Sequence, residues 1–203
     1  MRLEDLTDLQ LDTLRELGSI GSGHAATALS QLMGKRVALR NPELKLIPLG
    51  DIPGVFGGPE QLVGAVYVRL LGDIEGGMLF LAPRASLLAL FDLLHARNPG
   101  TTKSFGHEQE RLITHVASVL AASYIAAIAR MADLNVLPST PSFVLDMAGA
   151  ILEVATTQAG IKALSAMLIR TAFYQETTDV DVALFFMPEQ DSLEILLGRL
   201  GMV

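Results

Sequence analysis

The sequence predicts an α/β (α+β) fold in which two long helices pack side by side on a mixed or antiparallel sheet, with internal pseudo-two-fold symmetry. Residues 12–46 recur, much altered, at residues 111–145, at an offset of 99 that is the difference between the positions of Ser19 and Ser118. Apolar residues recur every three or four positions at the start of each copy, and alternating or continuous apolar runs follow. The first pattern is typical of a helix and the second of strands.

A second, weaker repeat supports the duplication. Residues 79–83 resemble residues 184–188, and a helical run follows each of them. Two copies favour one closed domain, because an open solenoid needs about three or more units to be stable. We therefore expect a single domain over residues 1–203, with copy one at about 8–97 and copy two at about 106–203.

Copy one is predicted to begin with a helix over residues 12–33. A strand or a pair of strands follows around Pro42, and residues 48–58 are expected to form a loop. The remaining elements are a strand hairpin that turns at Gly72 and Asp73 and then a helix, at residues 61–71, 75–82 and 86–94.

Copy two is predicted to repeat this order after a break at residues 98–102. It begins with a helix over residues 108–131, followed by a turn at residues 138–141 and a segment at residues 144–156 that we interpret as helical. The last elements are two strands and a helix, near residues 161–173, near residues 181–186 and from Ser192 onward.

The composition is that of a globular protein. Half of the 203 residues are apolar and only 18% are charged, which excludes a disordered chain. The net charge of -7 disfavours nucleic acid as a partner, since phosphate binding needs a basic face. The absence of cysteine excludes disulfides and thiol chemistry.

No segment is predicted to enter a membrane. The most apolar stretch, Val116–Ala129, has fourteen residues, fewer than the roughly 20 that cross a bilayer. The N-terminal residues turn acidic where a signal peptide needs an apolar core. We therefore expect a cytoplasmic protein.

The first helix has an apolar and a polar side. The apolar arc carries Leu14, Leu17, Gly18, Gly21, Ala25, Ala28, Leu29 and Leu32. The opposite arc, here called the first stripe, carries Asp12, Glu16, Ser19, Gly23, Thr27 and Ser30. The corresponding positions of the second helix, here called the second stripe, carry Arg111, His115, Ser118, Ala122, Ala126 and Ala129.

Three glycines lie inside the first helix. Gly21, Gly23 and Ala26 nearly match the dinucleotide-binding fingerprint, but that fingerprint requires a strand before it and a helix after it. Each helix-interior glycine costs about 1 kcal/mol relative to alanine. We expect Gly18 and Gly21 to let another backbone pack closely, and Gly23 to leave room for a visiting molecule.

The four histidines do not have the spacing of a metal site. No serine lies in the strand-to-helix elbow of a nucleophilic triad. We therefore expect the chain to bind no metal or cofactor of its own. His115 is interpreted as a partly exposed helix residue rather than a catalyst.

Glu16 and Ser19 are the candidate site residues of the first stripe. Side chains three positions apart project together, so this pair can present a carboxylate and a hydroxyl to one ligand. The alternative is a solvated helix face with no specific role. The frame around the pair favours a site: it reads Asp12, three residues, Glu16, two residues, Ser19, twenty-two residues and Pro42.

This frame resembles that of the CheC chemotaxis proteins, which are relatives of CheX and of the flagellar switch protein FliY. The pattern that the family repeats twice is Asp or Ser, three residues, Glu, two residues, Asn, twenty-two residues and Pro. Residues 14–30 are similar to the family's helix at most positions. The likeness extends to Gly72–Gly76, to Ser123 and Tyr124, and to Leu145–Met147.

The resemblance implies hydrolysis of the aspartyl phosphate of the response regulator CheY. In the family, the Glu pairs with a lysine of CheY and the Asn orients a water in line with the phosphate, around a Mg²⁺ that is supplied in CheY. By position, Glu16 and Ser19 become the catalytic residues. The supporting motif positions are Asp12, Pro42 and Pro141.

The sequence departs from the family pattern at the catalytic positions. His115 and Ser118 replace Glu and Asn in copy two, and Arg111 replaces Asp or Ser, so this second site is expected to be degenerate. Ser19 replaces Asn in copy one, and a hydroxyl lacks the paired donor and acceptor of a carboxamide and reaches about 1 Å less far. A misplacement of that size can cost on the order of 10²-fold in rate.

CheC proteins also bind the receptor deamidase CheD, which the resemblance implies as a second partner, with Asp146 as a partner-binding residue. The predicted function is that of a CheC-type chemotaxis protein that hydrolyses or binds the aspartyl phosphate of CheY, with activity weakened at Ser19. The alternative is a non-catalytic adaptor for CheY or CheD, or a component of the flagellar switch.

Overall fold

The computed structural model describes residues 3–34, 36–39, 43–98, 100–157, 165–175 and 178–202. Copy one consists of α1 (Asp8–Met33), β1 (Ala38–Leu39), β2 (Glu43–Pro48), β3 (Leu62–Gly72), β4 (Gly76–Pro83) and α2 (Arg84–Leu94). Copy two consists of α3 (His107–Ala132), β5 (Val136–Pro138), β6 (Ser142–Met147), α4 (Ala148–Thr157), β7 (Ser165–Gln175), β8 (Thr178–Pro188) and α5 (Gln190–Arg199). Two 3₁₀-helices span Leu3–Asp5 and Leu49–Phe56. Pro42 and the predicted strand start at residues 161–164 lie outside the described residues.

The eight described strands form one sheet in which the two copies exchange strands. The antiparallel pair β4 and β8 lies at the centre, flanked by β3 and β7. The outer strands β1 and β2 of copy one pair with β7 of copy two, while β5 and β6 of copy two pair with β3 of copy one. Each copy therefore completes its half of the sheet with strands from the other copy.

The registers of the exchanged strands match the duplication. Leu44 of β2 pairs with Ile169. Phe143, which lies 99 positions after Leu44, pairs with Val66. Ile169 and Val66 are each the fifth residue of an eleven-residue strand. The predicted fold class is confirmed: helices lie on an antiparallel sheet, and the two copies are related by internal pseudo-two-fold symmetry.

Helices cover one face of the sheet and shorter elements cover the other. α1 and α3 pack against each other and, with α2 and α5, bury alternate strand residues such as Phe80, Leu184 and Phe186. On the opposite face, the second 3₁₀-helix and α4 bury the intervening residues, including Leu79 and Phe185. Because both faces are covered, the central strands read as continuous apolar runs.

Two predicted segments differ from the structure. Residues 48–58, predicted as a loop, contain the second 3₁₀-helix, whose Ile52 is buried. Residues 144–156, interpreted as one helix, belong partly to β6 and partly to α4. The first four of them are extended because β6 pairs with β3 over its whole length. Local periodicity carries no information about such a distant pairing partner.

α3 is long and apolar enough, by length and composition, to cross a membrane, with a mean hydropathy of 1.9 in its most apolar window. The prediction that the most apolar stretch, with fourteen residues, is too short to cross a membrane is therefore wrong. In the fold, 56% of that window is buried inside the protein. A core helix of a soluble protein passes the same test, so the absence of membrane insertion stays a prediction.

A buried carboxylate orders the connection between the two copies. Asp92 of α2 is fully buried and accepts hydrogen bonds from the Thr102 backbone N at 3.1 Å and the Thr102 hydroxyl at 2.5 Å. Burial raises the pKa of Asp92, but the hydrogen bonds from Thr102 and its neighbours outweigh burial and hold that pKa below its ordinary value of 3.8. Charge-assisted hydrogen bonds thus tie the end of α2 to the segment that leads into α3.

Candidate functional site

α1 carries the first stripe and begins earlier than the predicted residue 12. Thr7 caps the helix: its hydroxyl accepts from the Gln10 backbone N, and the Gln10 side chain accepts in return from Thr7 N at 2.9 Å. The helix ends at Gly34, whose φ of 62° is left-handed, a conformation that glycine adopts without strain. The whole first stripe therefore lies within one continuous helix.

Glu16 and Ser19 are both exposed on α1. Asp12, Gly23 and Thr27 of the same stripe are exposed as well, and Ser30 is half-buried. The buried residues of the opposite arc are Leu14, Leu17, Gly18, Gly21, Ala25 and Leu29. The helical period thus places a carboxylate and a hydroxyl one turn apart on a surface that solvent reaches.

The glycines of α1 divide into two packed positions and one open position. A Cβ at Gly18 would lie 2.9 Å from Leu44 Cδ1 of β2, and a Cβ at Gly21 would overlap the Tyr124 ring of α3. The prediction that another backbone packs at these two glycines is wrong, because side chains fill the space. A Cβ at Gly23 would meet no atom within 4 Å, so this part of the first stripe is open.

Tyr124 holds α1 against α3. It is 3% exposed. Burial raises the pKa of Tyr124 to about 12, although the neighbouring Ser22 hydroxyl lowers it in part. Within the described part of the chain, no hydrogen bond of ordinary geometry reaches Tyr124 Oη. The packing of its ring, rather than a polar contact, therefore positions the stripe-bearing helix.

The Ser19 hydroxyl already makes a hydrogen bond within its own helix. Its Oγ donates to Arg15 O at 3.1 Å, which uses its one proton and leaves its lone pairs available to a ligand. Sequence reasoning missed Arg15, whose Nη1 lies 2.6 Å from Asp12 Oδ1. The i, i+3 spacing of Asp12 and Arg15 could have predicted this ion pair from the sequence. Both side chains are more than half exposed, so their ion pair contributes at most about 1 kcal/mol.

The second stripe lies on α3 and has different chemistry. Arg111 and His115 are exposed, and Ser118 is half-buried and donates to Thr114 O at 2.6 Å. A guanidinium and an imidazole thus stand where the first stripe has two carboxylates. Pro141 is half-buried just before β6. The pseudo-symmetry preserves the place of the site but not its charge.

Asp146 lies away from both stripes. It is exposed on β6, and its Oδ1 accepts from Met147 N at 2.7 Å. With Tyr67, Val144 and Ile151 it lines a pocket of about 210 Å³ between the sheet and α4. That pocket lies on the sheet face opposite to α1 and α3. The structure therefore separates Asp146 from Glu16 and Ser19.

The described residues contain no group of three or more His, Asp or Glu side chains that could hold a metal ion. The first stripe offers a carboxylate, a hydroxyl and a neighbouring guanidinium. These groups can pair with a charged group of a partner and orient a water. They do not form the base-activated nucleophile that covalent catalysis requires.

Comparison with known proteins finds sequences that are similar to this chain. Residues 9–46, which include the first stripe, match the CheC-like family. The chain is 29% identical over 196 residues to the CheY-P phosphatase CheC of Bacillus subtilis (strain 168). These residues are 95% of this chain and 94% of that protein. The similarity thus extends beyond α1 to nearly the whole of both chains.

Solved structures share the fold. FliY from Thermotoga maritima has a TM-score of 0.77 at 13% identity, over 97% of this chain and 98% of that chain. The CheX-CheY-BeF3-Mg²⁺ complex from Borrelia burgdorferi contains a chain with a TM-score of 0.50 at 14% identity, over 84% of this chain and 96% of that chain. At these identities the structures establish the fold alone. In sequence, the chain is similar to the CheC-like family at residues 9–46 and to CheC over nearly its whole length.

Proposed function

We propose that this chain promotes hydrolysis of the aspartyl phosphate of a CheY-type response regulator through Glu16 and Ser19. A relative over nearly the whole chain is a CheY-P phosphatase, and a structural neighbour is found in a complex that contains CheY, BeF3 and Mg²⁺. One observation carries the proposal: Glu16 and Ser19 are exposed one turn apart, beside the open space at Gly23.

Glu16 is expected to pair with a lysine of the regulator and so to orient the two proteins. Its carboxylate is exposed before the partner arrives. When the regulator covers the first stripe, water leaves the contact and the attraction between the two charges grows. Glu16 therefore fixes the geometry of the complex and takes no part in bond breaking.

Ser19 is expected to orient the attacking water. Because Ser19 Oγ donates to Arg15 O, it can accept a hydrogen bond from that water but has no second proton to donate. A carboxamide would donate and accept, and would reach about 1 Å further. The water attacks phosphorus, the bond to the aspartyl oxygen breaks, and phosphate and the aspartate carboxylate result. The Mg²⁺ belongs to the regulator, so this chain contributes positioning alone.

Copy two is proposed to be inactive as a phosphatase site. The Arg111 guanidinium lies on the second stripe, where it would repel the regulator lysine that Glu16 attracts. Ser118 is half-buried and bonded to Thr114 O, so it is less accessible than Ser19. Each chain is therefore proposed to carry one catalytic stripe, which is the first stripe.

A second partner of the CheD type is proposed for the pocket at Asp146. The pocket combines one carboxylate with apolar residues such as Val144 and Ile151. It lies on the sheet face opposite to the first stripe, so the two partners can bind together. Both partners imply a cytoplasmic location. The alternative function, a non-catalytic adaptor, uses the same surfaces without phosphate release.

Phosphate release from phosphorylated CheY with Mg²⁺ tests the proposal. The wild-type chain should accelerate release above that of CheY alone. Glu16→Ala and Ser19→Ala should remove most of this acceleration, since each loses a positioning contact. Ser19→Asn should raise the rate, by up to the order of 10²-fold that a misplaced group costs.

Glu60→Ala is the matched control. Glu60 is an exposed carboxylate in the segment that leads into β3, and its removal should leave release unchanged. If the wild-type chain releases phosphate no faster than CheY alone, the enzyme proposal fails. Tight binding of phosphorylated CheY without release would identify the chain as an adaptor.

A further inference from the structure

α1 and α3 run in opposite directions across one face of the sheet. α1 follows β7, because Glu4 before the helix accepts a hydrogen bond from Ser165 at the start of β7, and β1 after the helix pairs with the end of β7. α3 follows β3, because Phe105 before the helix stacks on Phe143 beside Gly64 near the start of β3, and β5 after the helix pairs with the end of β3. Three antiparallel pairings separate β3 from β7, so these strands point in opposite directions. The two helices are therefore antiparallel.

The first and second stripes together form one outer surface, here called the helix face, with a definite centre. Gly21 of α1 packs against Tyr124 of α3, and the pseudo-two-fold symmetry repeats this contact between their counterparts. The midpoint of the two contacts is at Gly23 and Ala122, which are counterparts at the 99-residue offset and are both exposed. Equivalent positions of the two stripes therefore lie at equal distances from the centre, on opposite sides of it.

The two ends of the helix face carry opposite charge. Asp12 and Glu16 lie eleven and seven positions before the centre on α1, and Arg111 and His115 lie the same numbers of positions before it on α3. At 1.5 Å per residue, Asp12 and Arg111 stand about 16 Å from the centre, at opposite ends. All four side chains are exposed. The end with the two carboxylates is here called the acidic end, and the other the basic end.

The charges at both ends are available to a partner. Within the described part of the chain, neither Glu16 nor Arg111 has an ion-pair partner. Asp12 pairs with Arg15 at 2.6 Å, and both side chains are more than half exposed. Exposed ion pairs of this kind contribute little to stability. Asp12 can therefore exchange Arg15 for a cation of a partner at small cost.

Neighbouring charges keep the two ends different. Asp8 adds an exposed carboxylate to the acidic end, and Arg36, which follows α1, adds an exposed guanidinium to the basic end. Opposite charges are also present, namely Arg15 at the acidic end and Glu108 at the basic end. The difference in charge between the two ends therefore remains.

We propose that the helix face is a docking surface for a second copy of this chain. A two-fold axis that lies in the interface and passes over the centre places the acidic end of one copy on the basic end of the other. Asp12 of each copy then faces Arg111 of the other, and Glu16 faces His115. Because a two-fold interface makes each contact twice, both ends of both copies are paired with the opposite charge.

The helix face is large enough for a stable interface. Two side-by-side helices of 26 residues, each about 10 Å wide, present a surface of about 39 by 20 Å. Its area of about 780 Å² is close to the roughly 800 Å² that each partner contributes to a standard interface. Gly23, Ala122 and Ala126 lie between the charged ends and are small and exposed, so the helices of two copies can approach closely.

Such a dimer covers Glu16 and Ser19 and therefore regulates them. This consequence rests on the proposed function. A covered first stripe cannot meet a regulator, so phosphate release per chain should fall as the chain concentration rises through the Kd of the dimer. CheY activated with beryllofluoride and Mg²⁺ should in turn dissociate the dimer. The second stripe, inactive as a phosphatase site, thus acts by covering the first stripe of another copy.

Sedimentation of the full chain at low salt tests the interface. Arg111→Glu makes both ends acidic and Asp12→Arg makes both ends basic, so each variant alone should weaken dimerisation about tenfold or more, since like charges then meet twice. An equimolar mixture of the two variants should dimerise again, because opposite charges face each other at both contacts. Raising the salt concentration should weaken the wild-type dimer.

Arg69→Glu is the matched control. Arg69 is an exposed arginine of β3, two residues after Tyr67, which packs on the opposite sheet face. Its reversal should leave dimerisation unchanged. Thermal unfolding of each variant verifies that the fold is intact.

The outcomes separate this interface from the proposed function. A wild-type chain that stays monomeric at micromolar to millimolar concentrations overturns the interface, and phosphate release from CheY would still support the function. A dimer that persists in both variants, or a mixture that does not recover it, shows that the helix face is not the interface and also overturns the proposal. A dimer that follows the charges in a chain without phosphatase activity supports the interface and overturns the function. Release per chain that does not change with dimerisation overturns the regulatory role.

Discussion

α1 and α3 occupy equivalent places in a duplicated scaffold and present opposite chemistry to solvent. The first stripe carries two carboxylates, and the second stripe begins with Arg111 and His115 at the same positions. Both helices have 26 residues, and strands of equal register follow them. The positions that build the core and the sheet are therefore constrained in both copies, whereas the exposed stripes are free to diverge.

The two helices also differ where they meet. Gly21 of α1 accommodates the Tyr124 ring of α3. The counterparts of these residues at the 99-residue offset are Leu120 and Ala25, and both are buried. A small residue on α1 thus faces a large one on α3. The symmetry of the backbone does not require symmetry of the side chains, provided that the shared volume is filled.

Cutting the chain between the copies is the change with the largest expected effect. A fragment of residues 1–97 should not fold alone, because β4 would lose β8 and β3 would lose β5 and β6. Circular dichroism and amide chemical-shift dispersion measure the loss. Adding a fragment of residues 98–203 should restore the fold. A fragment 1–97 that unfolds cooperatively as a monomer would contradict the proposal that both copies form one domain.

The two kinds of glycine in α1 should respond in opposite directions to the same substitution. Gly21→Ala should lower the free energy of unfolding by about 1–3 kcal/mol, because the new Cβ overlaps the Tyr124 ring. Gly23→Ala should raise it by about 1 kcal/mol, because alanine is the better helix former and the space there is open. Urea unfolding measures both.

A companion variant tests the cause of the Gly21 effect. Truncating Tyr124 to leucine in the Gly21→Ala background should recover part of the lost stability, since the overlap is removed. If Gly21→Ala is as stable as Gly23→Ala, α1 and α3 do not pack as described. Gly23→Ala should also slow phosphate release, since its methyl group stands on the first stripe.

Converting the second stripe to the family pattern is the change with the smallest expected effect. Arg111→Asp, His115→Glu and Ser118→Asn would be introduced together in the Glu16→Ala background, where copy one is disabled. Release should rise above that of CheY alone but stay below the wild-type level, because residue 118 is half-buried whereas residue 19 is exposed. Full recovery would show that burial at residue 118 does not limit the reaction. No recovery would show that the stripe residues alone do not define the site.

Much of the fold could be predicted because it repeats. The offset of 99 and the helical period predicted the positions of α1 and α3. They also predicted that Glu16 and Ser19 are exposed, as the structure shows. The same reasoning failed for β6, since an amphipathic segment of that length fits both periods and β3 decides between them. It also missed Arg15, although the i, i+3 spacing of Arg15 and Asp12 was present in the sequence.

The sequence by itself determined the duplication, the two stripes and their charges, because helical periodicity and residue identity are local properties. Only the tertiary structure decided that the copies exchange strands, that side chains rather than backbones fill the space at Gly18 and Gly21, and that Asp146 lies on the opposite sheet face from Glu16. These features depend on contacts between residues far apart in the chain. Such contacts follow from packing two copies into one volume, which no local pattern records.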